Sequence, residues 1–233
     1  MTKPLALITG VGPGTGSALV RRFANGGYVV AMIARTKSRL DALTAENSNV
    51  RGYVCDVSDT DQLRKTVANV TSDLGPAEVL IHNAVGGTFG TFQEIKPHAL
   101  LRNFQINTMA LLELARHVAP AMIEAGKGTI MATGNTSALR GKANFAGFAP
   151  SKAAARILLE SIARDVGPKG IHVAYLLIDA VIDQEWTRKM KPKAPDDFFI
   201  APRAIAEEAW HIVHQDKSAW SFNVEVRPYG ETW

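Results

Sequence analysis

Leu5-Ala6-Leu7-Ile8-Thr9-Gly10-Val11-Gly12-Pro13-Gly14-Thr15-Gly16 runs from a short apolar segment into a glycine-rich turn, and a helical pattern opens immediately behind it. Lys3 ahead of the apolar run gives a faint likeness to a signal peptide, but the run is too short, and it is read as a first strand. Glycines let the chain turn tightly and let backbone N–H groups approach an anion at a helix N-terminus, where the helix dipole favours negative charge. The spacing is not G-x-G-x-x-G. It is T-G-x-x-x-G-x-G, carried by Thr9, Gly10, Gly14 and Gly16, with Thr15 between the last two. Structural turns use glycine too, so the pattern takes its meaning from its place between a strand and a helix.

Strand-like and helix-like segments alternate from this turn to the far end. Apolar runs rich in Val and Ile occur at 5–9, 28–34, 50–55, 78–82, 128–133, 171–178 and 222–226. Most are unbroken rather than alternating, as expected for strands covered on both faces. Helical spacing occupies 15–26, 38–47, 59–73, 98–125, 147–166 and 202–214, with turn signals such as Gly26-Gly27, Gly75-Pro76 and Gly167-Pro168 at the joins. The alternation predicts an α/β chain, a single doubly wound (Rossmann-type) parallel sheet of about seven strands flanked by helices. No linker, composition shift or repeat divides residues 1–233, so one dinucleotide-binding domain is expected.

Residues 183–201 interrupt the pattern with Pro192 and Pro195. This stretch follows a strand's carboxyl end, where ligands bind in such sheets, and reads as a substrate lid or as an inert loop. Two helical segments are apolar on several faces (98–125) or dense in alanine (147–166), which marks either deep burial or a subunit contact.

The composition, 46% hydrophobic, 21% charged and 7% aromatic, excludes a disordered, collagenous or coiled-coil chain. No apolar run is long enough to span a membrane. The net charge of +4 comes without a dense basic run, so nucleic acid is not an expected partner. Arg188, Lys189, Lys191 and Lys193 are broken by Met190 and Pro192 and read as a loop rim. The single cysteine, Cys55, excludes an internal disulfide and suits a reducing, cytoplasmic setting. It reads as a small buried strand residue. His211 and His214 lie on one helix without a third ligand, so no metal site is expected.

Further motifs fall in a recognisable order: Asp56-Val57 after the third strand, His82-Asn83-Ala84-Val85 at the end of the fourth, Ile106-Asn107-Thr108, and Lys152. On these the chain resembles the short-chain dehydrogenase/reductase family over nearly its whole length. The resemblance implies an adenine-contacting pair in Asp56 and Val57, and a counterpart of the family's N-N-A-G element in 82–85. It also implies a catalytic-helix asparagine in Asn107 and the closing lysine of a Y-x-x-x-K motif in Lys152. Gly10, Gly14, Thr15, Gly16, Asn83, Ala84 and Lys152 would then hold a nicotinamide dinucleotide, and a homodimer or homotetramer would be the assembly. Singly, Asp56 also reads as a cap for the helix near 59, Asn83 as a loop brace and Asn107 as an ordinary helix residue; none of these readings predicts the shared order.

The second strand ends Ala34-Arg35-Thr36. An NAD-preferring site places a carboxylate here for the ribose 2′-hydroxyl. An arginine instead can grip a 2′-phosphate in bidentate fashion, where a carboxylate would repel it. Arg35 and Thr36 therefore point to NADP(H) rather than NAD(H), a solvated strand-end arginine being the alternative.

The catalytic pattern departs from the family in two places. Phe148 stands four residues before Lys152, where the resemblance calls for a proton-donating tyrosine, and Asn135 stands where it calls for a carbonyl-polarising serine. Phenylalanine exchanges no proton, and loss of a general acid costs ~10²–10⁴ in rate. Asn135 still offers an amide N–H₂ to a developing oxyanion. The family's Pro-Gly after the sixth strand is replaced by Ile178-Asp179. The expected activity is NADP(H)-dependent hydride transfer to or from a small carbonyl, imine or activated enoyl substrate, with Asn107, Asn135 and Lys152 as catalytic residues. Asn135 and Phe148 would line the substrate pocket. A relay through Asn107, Lys152 and water in an ordinary ketone reductase is a second possibility. A non-catalytic NADP(H)-binding protein of the same fold is the alternative from another class.

Overall fold

The computed structural model describes residues 3–230. Seven parallel strands form the central sheet: β1 (Leu5–Thr9), β2 (Val29–Ala34), β3 (Val50–Val54), β4 (Val79–His82), β5 (Gly128–Gly134), β6 (Ile171–Ile178) and β9 (Asn223–Val226). Their order is β3-β2-β1-β4-β5-β6-β9, the doubly wound sheet expected from the alternating pattern. The winding reverses between β1 and β4. Beyond the carboxyl ends of those two strands lies the crevice where such sheets bind ligands.

The apolar runs of β1, β2, β4, β5 and β6 have the two-faced environment they imply, whereas the edge strands β3 and β9 are exposed or half-buried along most of their length. Along β1, Leu5 and Leu7 pack on one side with Leu80, Leu111, Leu159 and Tyr175. Ala6 and Ile8 pack on the other with Phe23, Met32, Leu176 and Ile212. Each such fully buried side chain contributes roughly 1.5–3 kcal/mol. The first layer is covered by α3 (Thr60–Leu74), α5 (Ala110–Ala125) and α6 (Ala149–Val166). The second is covered by α1 (Thr15–Asn25), α2 (Lys37–Glu46) and α8 (Pro202–Val213).

The segment 98–125 is not one regular helix. It comprises α4 (Pro97–Phe104), a π-helical turn (Gln105–Met109) and α5, and the π turn contains Asn107. The helix after β3 is capped by Asp59, which accepts from the Gln62 N–H at 2.9 Å, so Asp56 is not its cap.

Residues 183–201 are more ordered than their prolines suggest. Two short parallel strands, β7 (Val181–Ile182) and β8 (Phe199–Ile200), bracket the one-and-a-half-turn helix α7 (Glu185–Met190). A reciprocal cap between Gln184 and Thr187 starts that helix. Arg188 ties it back to Asp183 at 2.7 Å and forward to Asp196. The basic cluster here is thus partly neutralised, Lys189 also pairing with Glu185.

Candidate functional site

The turn after β1 is packed as only glycine allows. Gly10 has φ +72°, and a Cβ on it would lie 2.3 Å from the backbone nitrogen of Ala84. A Cβ on Gly16 would lie 2.6 Å from the Gly10 carbonyl oxygen. Ser17 draws the first turn of α1 under the loop, its Oγ donating to the Gly12 carbonyl at 2.6 Å. The helix starts at Gly14 with no side-chain cap and no acidic residue in its first turn, so its N-terminal dipole faces the cleft unopposed. Thr15 lines the same cleft, and its buried Oγ1 has no hydrogen-bond partner. Such an orphan costs ~1–3 kcal/mol until a ligand satisfies it.

The cleft, about 350 Å³, brings together most of the residues singled out from the sequence. Gly10, Gly14, Thr15, Gly16, Arg35, Thr36, Asp56, Val57, Asn83 and Ala84 all line it. Arg39 joins Arg35 there, and neither has an acidic partner among the described residues. Burial pushes the Asp56 carboxyl up, but bonds from Ser58 and from Arg102 at 3.0 Å outweigh it and hold the group below the usual carboxylate range. An uncapped helix start, an orphaned threonine hydroxyl and two free guanidinium groups fit the phosphates of a dinucleotide.

The reactive end is built differently. Asn83 braces the strands, donating to the Gly10 carbonyl and accepting from Thr133 Oγ1, both at 2.9 Å. His82 lies beneath, fully buried. Its Nε2 donates to the Ile106 carbonyl at 2.9 Å, so Nδ1 accepts from Thr9 Oγ1 at 2.9 Å. Burial, helped by the Lys152 charge, lowers its pKa to about 4 and keeps it neutral. Asn107 grips the Gly86 backbone through both amide atoms and donates to Ser151 Oγ at 2.9 Å. Its side chain is committed to bracing the loop after β4 rather than to a substrate.

Lys152 is 6% exposed, and its Nζ donates to the Thr133 carbonyl at 3.4 Å. Desolvation lowers its pKa to about 8. Phe148, one helical turn away and 2% exposed, places its ring centroid 5.9 Å from Nζ. Over that ring lie Phe89, with centroids 4.9 Å apart, and Phe145 at 6.3 Å. Asn135 keeps its Oδ1 on the Ser137 N–H at 3.1 Å, and its Nδ2 has no hydrogen-bond partner among the described residues. Neither Asn107, Asn135, Phe148 nor Lys152 lines the cleft, which ends at Val85 and Ile106.

Sequence reasoning passed over several contributors. Gln184 and Trp186, at the start of α7, line the cleft, and a Cβ on Gly14 would lie 2.5 Å from Gln184 Nε2. A six-residue helix leaves too little periodicity to detect. The Phe89 cover was equally silent, because two phenylalanines, Phe89 and Phe92, in a glycine- and threonine-rich loop carry no periodic pattern. Arg39 was visible three residues past Thr36, at the spacing that returns a helical side chain to the same face.

Comparison with known proteins gives the family. The sequence pattern described as short chain dehydrogenase matches residues 4–191, and the chain belongs to that family. It is 30% identical to an L-xylulose reductase from Cavia porcellus over 169 residues, covering 72% of this chain and 68% of that one. It is 29% identical to a 7alpha-hydroxysteroid dehydrogenase from Escherichia coli over 216 residues, 88% of this chain and 84% of that one. A short-chain dehydrogenase from Rhodopseudomonas palustris superposes with a TM-score of 0.83 at 29% identity, over 97% of this chain and 99% of that one. A metagenomic short-chain oxidoreductase solved with NADP superposes at 0.85 and 25% identity, over 99% of both chains. The protein is therefore an oxidoreductase of short-chain dehydrogenase type.

Proposed function

We propose that this chain binds NADP(H) in preference to NAD(H) and transfers a hydride to or from a small carbonyl, imine or activated enoyl substrate without a tyrosine acid. The observation that carries the cofactor preference is the pair of guanidinium groups, Arg35 and Arg39, which line the cleft with Ala34 and are paired with no carboxylate among the described residues. NADP-bound structural neighbours agree with it. Bound NADP(H) would supply or accept the hydride. Gly10, Gly14, Thr15 and Gly16 would hold the pyrophosphate, Arg35 and Thr36 the 2′-phosphate, Asp56 and Val57 the adenine, and Asn83, Ala84 and Lys152 the nicotinamide ribose side. Asn135 Nδ2 would polarise the acceptor. Phe148 has no proton to give, so the proton comes from water or is not needed, as with an iminium carbon. Asn107 acts through position, holding the loop after β4 to α6.

In this reading the chain is one domain whose substrate lid lies within 183–201, assembled as a homodimer or homotetramer. A cytoplasmic setting suits NADPH and a buried free thiol. No helix among the described residues is long and apolar enough to cross a membrane.

One observation favours a second reading, a non-catalytic NADP(H)-binding protein: Lys152 and Phe148 are both buried, with Phe89 packed on the Phe148 ring. Incubation with NADPH and panels of ketones, imines and enoyl thioesters, followed at the nicotinamide absorbance band, separates the two. Turnover of an imine or enoyl thioester is expected; NADPH binding without turnover of any panel supports the second reading. The variant Phe148→Tyr with Asn135→Ser is expected to gain ketone reduction by ~10²–10⁴, the worth of a positioned general acid. Rapid ketone reduction by the parent, with a pH profile showing one ionising acid, would overturn the tyrosine-free proposal.

A further inference from the structure

Six of the eleven exposed large apolar side chains among the described residues stand on three connections: Val85, Phe89 and Phe92 after β4, Leu139 after β5, and Trp186 and Met190 on α7 in the segment after β6. These strands are neighbours and parallel, so the three connections leave the same edge of the sheet. The patch has two parts. Val85 and Trp186 line one cleft. Phe89 lies 5.1 Å from Phe145, and Phe145 shares with Leu139 a second hollow of about 330 Å³. Exposed apolar surface gathered in this way marks a binding site rather than ordinary surface.

The arrangement is also held in place. Gly90 N–H donates to the Asn144 carbonyl at 2.9 Å and Ala146 N–H to the Gly90 carbonyl at 3.1 Å, zipping the Phe89 loop to the Phe145 loop. Asn103, buried on α4, bonds to both Thr88 and the Gly147 carbonyl, the latter at 2.6 Å. The buried polar side chains nearby are thus spent on the protein itself: Asn103, Asn107 and Ser151 all bond internally. Asn135 Nδ2 is left as a donor for one polar group of a ligand. The second hollow also carries Ser137, Arg140 and Lys142, so a ligand's polar groups find donors on that side, whereas hydroxyls set against Val85, Phe89 and Phe92 would lose water and recover no partner from those side chains.

We infer that the acceptor is an apolar, ring-bearing molecule with one polar reacting group rather than a sugar, and that Phe89 is a specificity-determining residue for it. Phe89 is 53% exposed while packed on the buried Phe148 ring, whose centroid lies 5.9 Å from Lys152 Nζ, so it offers open aromatic surface one ring away from that lysine. The inference rests on the oxidoreductase reading for the identity of the ligand as a substrate. It also chooses between the two relatives whose names denote a sugar and a steroid substrate.

The test is calorimetric binding of a steroid ketone and of a ketopentose, to NADP⁺-loaded and to cofactor-free protein, with NADPH affinity measured on the same samples. The steroid ketone is expected to bind at least about tenfold more tightly than the ketopentose. Phe89→Ser should weaken the steroid ketone about tenfold and leave NADPH affinity unchanged, and Leu139→Ser should weaken it in the same direction. Equal or tighter ketopentose binding, or steroid binding indifferent to both substitutions, overturns the proposal. So does loss of self-association in Phe89→Ser, which would make the patch an interface between copies. Failure to bind NADPH refutes the cofactor reading and leaves the steroid-against-ketopentose comparison on free protein to decide this one.

Discussion

Arg35 leaves the end of β2 into the cleft with no carboxylate to neutralise it, which makes its contribution separable from the fold. Arg35→Ala should weaken NADPH binding by ~1.5–3 kcal/mol, a charge-assisted bond's worth, with little effect on NADH. Calorimetry with both cofactors measures the difference, and equal losses would place Arg35 away from the 2′-phosphate. Lys152 makes a second prediction at this scale. Its folded-state pKa of about 8 lies below the unfolded value of 10.5 because burial penalises the ammonium. Between those values the unfolded chain holds a proton that the folded chain lacks, so stability rises with pH across that window. Below about pH 8 both states are charged and the full penalty, on the order of 3 kcal/mol at most, is present. Lys152→Met should therefore be more stable than the parent at pH 7, with the gap closing towards pH 10.5. Denaturant midpoints at several pH values would show it, and a constant gap would contradict it. The cofactor-facing residues were legible because they sit at fixed offsets from strand ends. The commitments of Asn107 and Asn83 were not, since an amide spent on backbone and one aimed at a ligand look alike in sequence.

Elements with full periodicity emerged from the sequence nearly to the residue: β1, β2, β5 and β6 are apolar on both faces, and α1 and α3 carry distinct buried stripes. Those held by particular contacts did not. α7 depends on its Gln184–Thr187 cap and on Arg188, and the π turn at Asn107 on side chains reaching other loops. Arg188→Ala should leave the global melting transition nearly unchanged while speeding proteolysis and amide exchange within 183–196; unaltered exchange there would mean that β7 and β8 suffice to hold the segment. The zipped loops give a sharper case. A Cβ on Gly147 would lie 2.4 Å from Ile95 Cδ1 and 2.7 Å from the Thr88 carbonyl. Gly147→Ala should cost ~1–3 kcal/mol by overpacking and raise exchange at the Gly90 and Ala146 amides. A variant of parental stability would show that the loops part at no cost.

For the molecule as a whole, the order β3-β2-β1-β4-β5-β6-β9 puts the glycine turn, Asn83 and Asn135 at one edge, so sites far apart in sequence converge through topology alone. The same winding leaves α4, α5 and α6 on one layer, and their outer surface is not wholly polar. Leu101, Met109 and Ile157 remain exposed there, although Leu111, Leu114, Ala155 and Leu159 are buried in the core. The two helical segments thus bury one side in the core and leave some apolar side chains exposed. Exposed leucine and isoleucine on helices of one layer are suited to pairing with a second copy, since burying them costs no charge. The chain is expected to sediment as a dimer or tetramer at micromolar concentration. Ile157→Glu, on the solvent side of α6, should shift it to monomer with the cleft intact, because a carboxylate at a contact between copies has no partner there. NADPH affinity of the monomeric variant should remain within about twofold of the parent, the cleft being lined by residues of other elements. A parent that already sediments as a monomer would return these helices to the role of a core layer with an ordinary outer face.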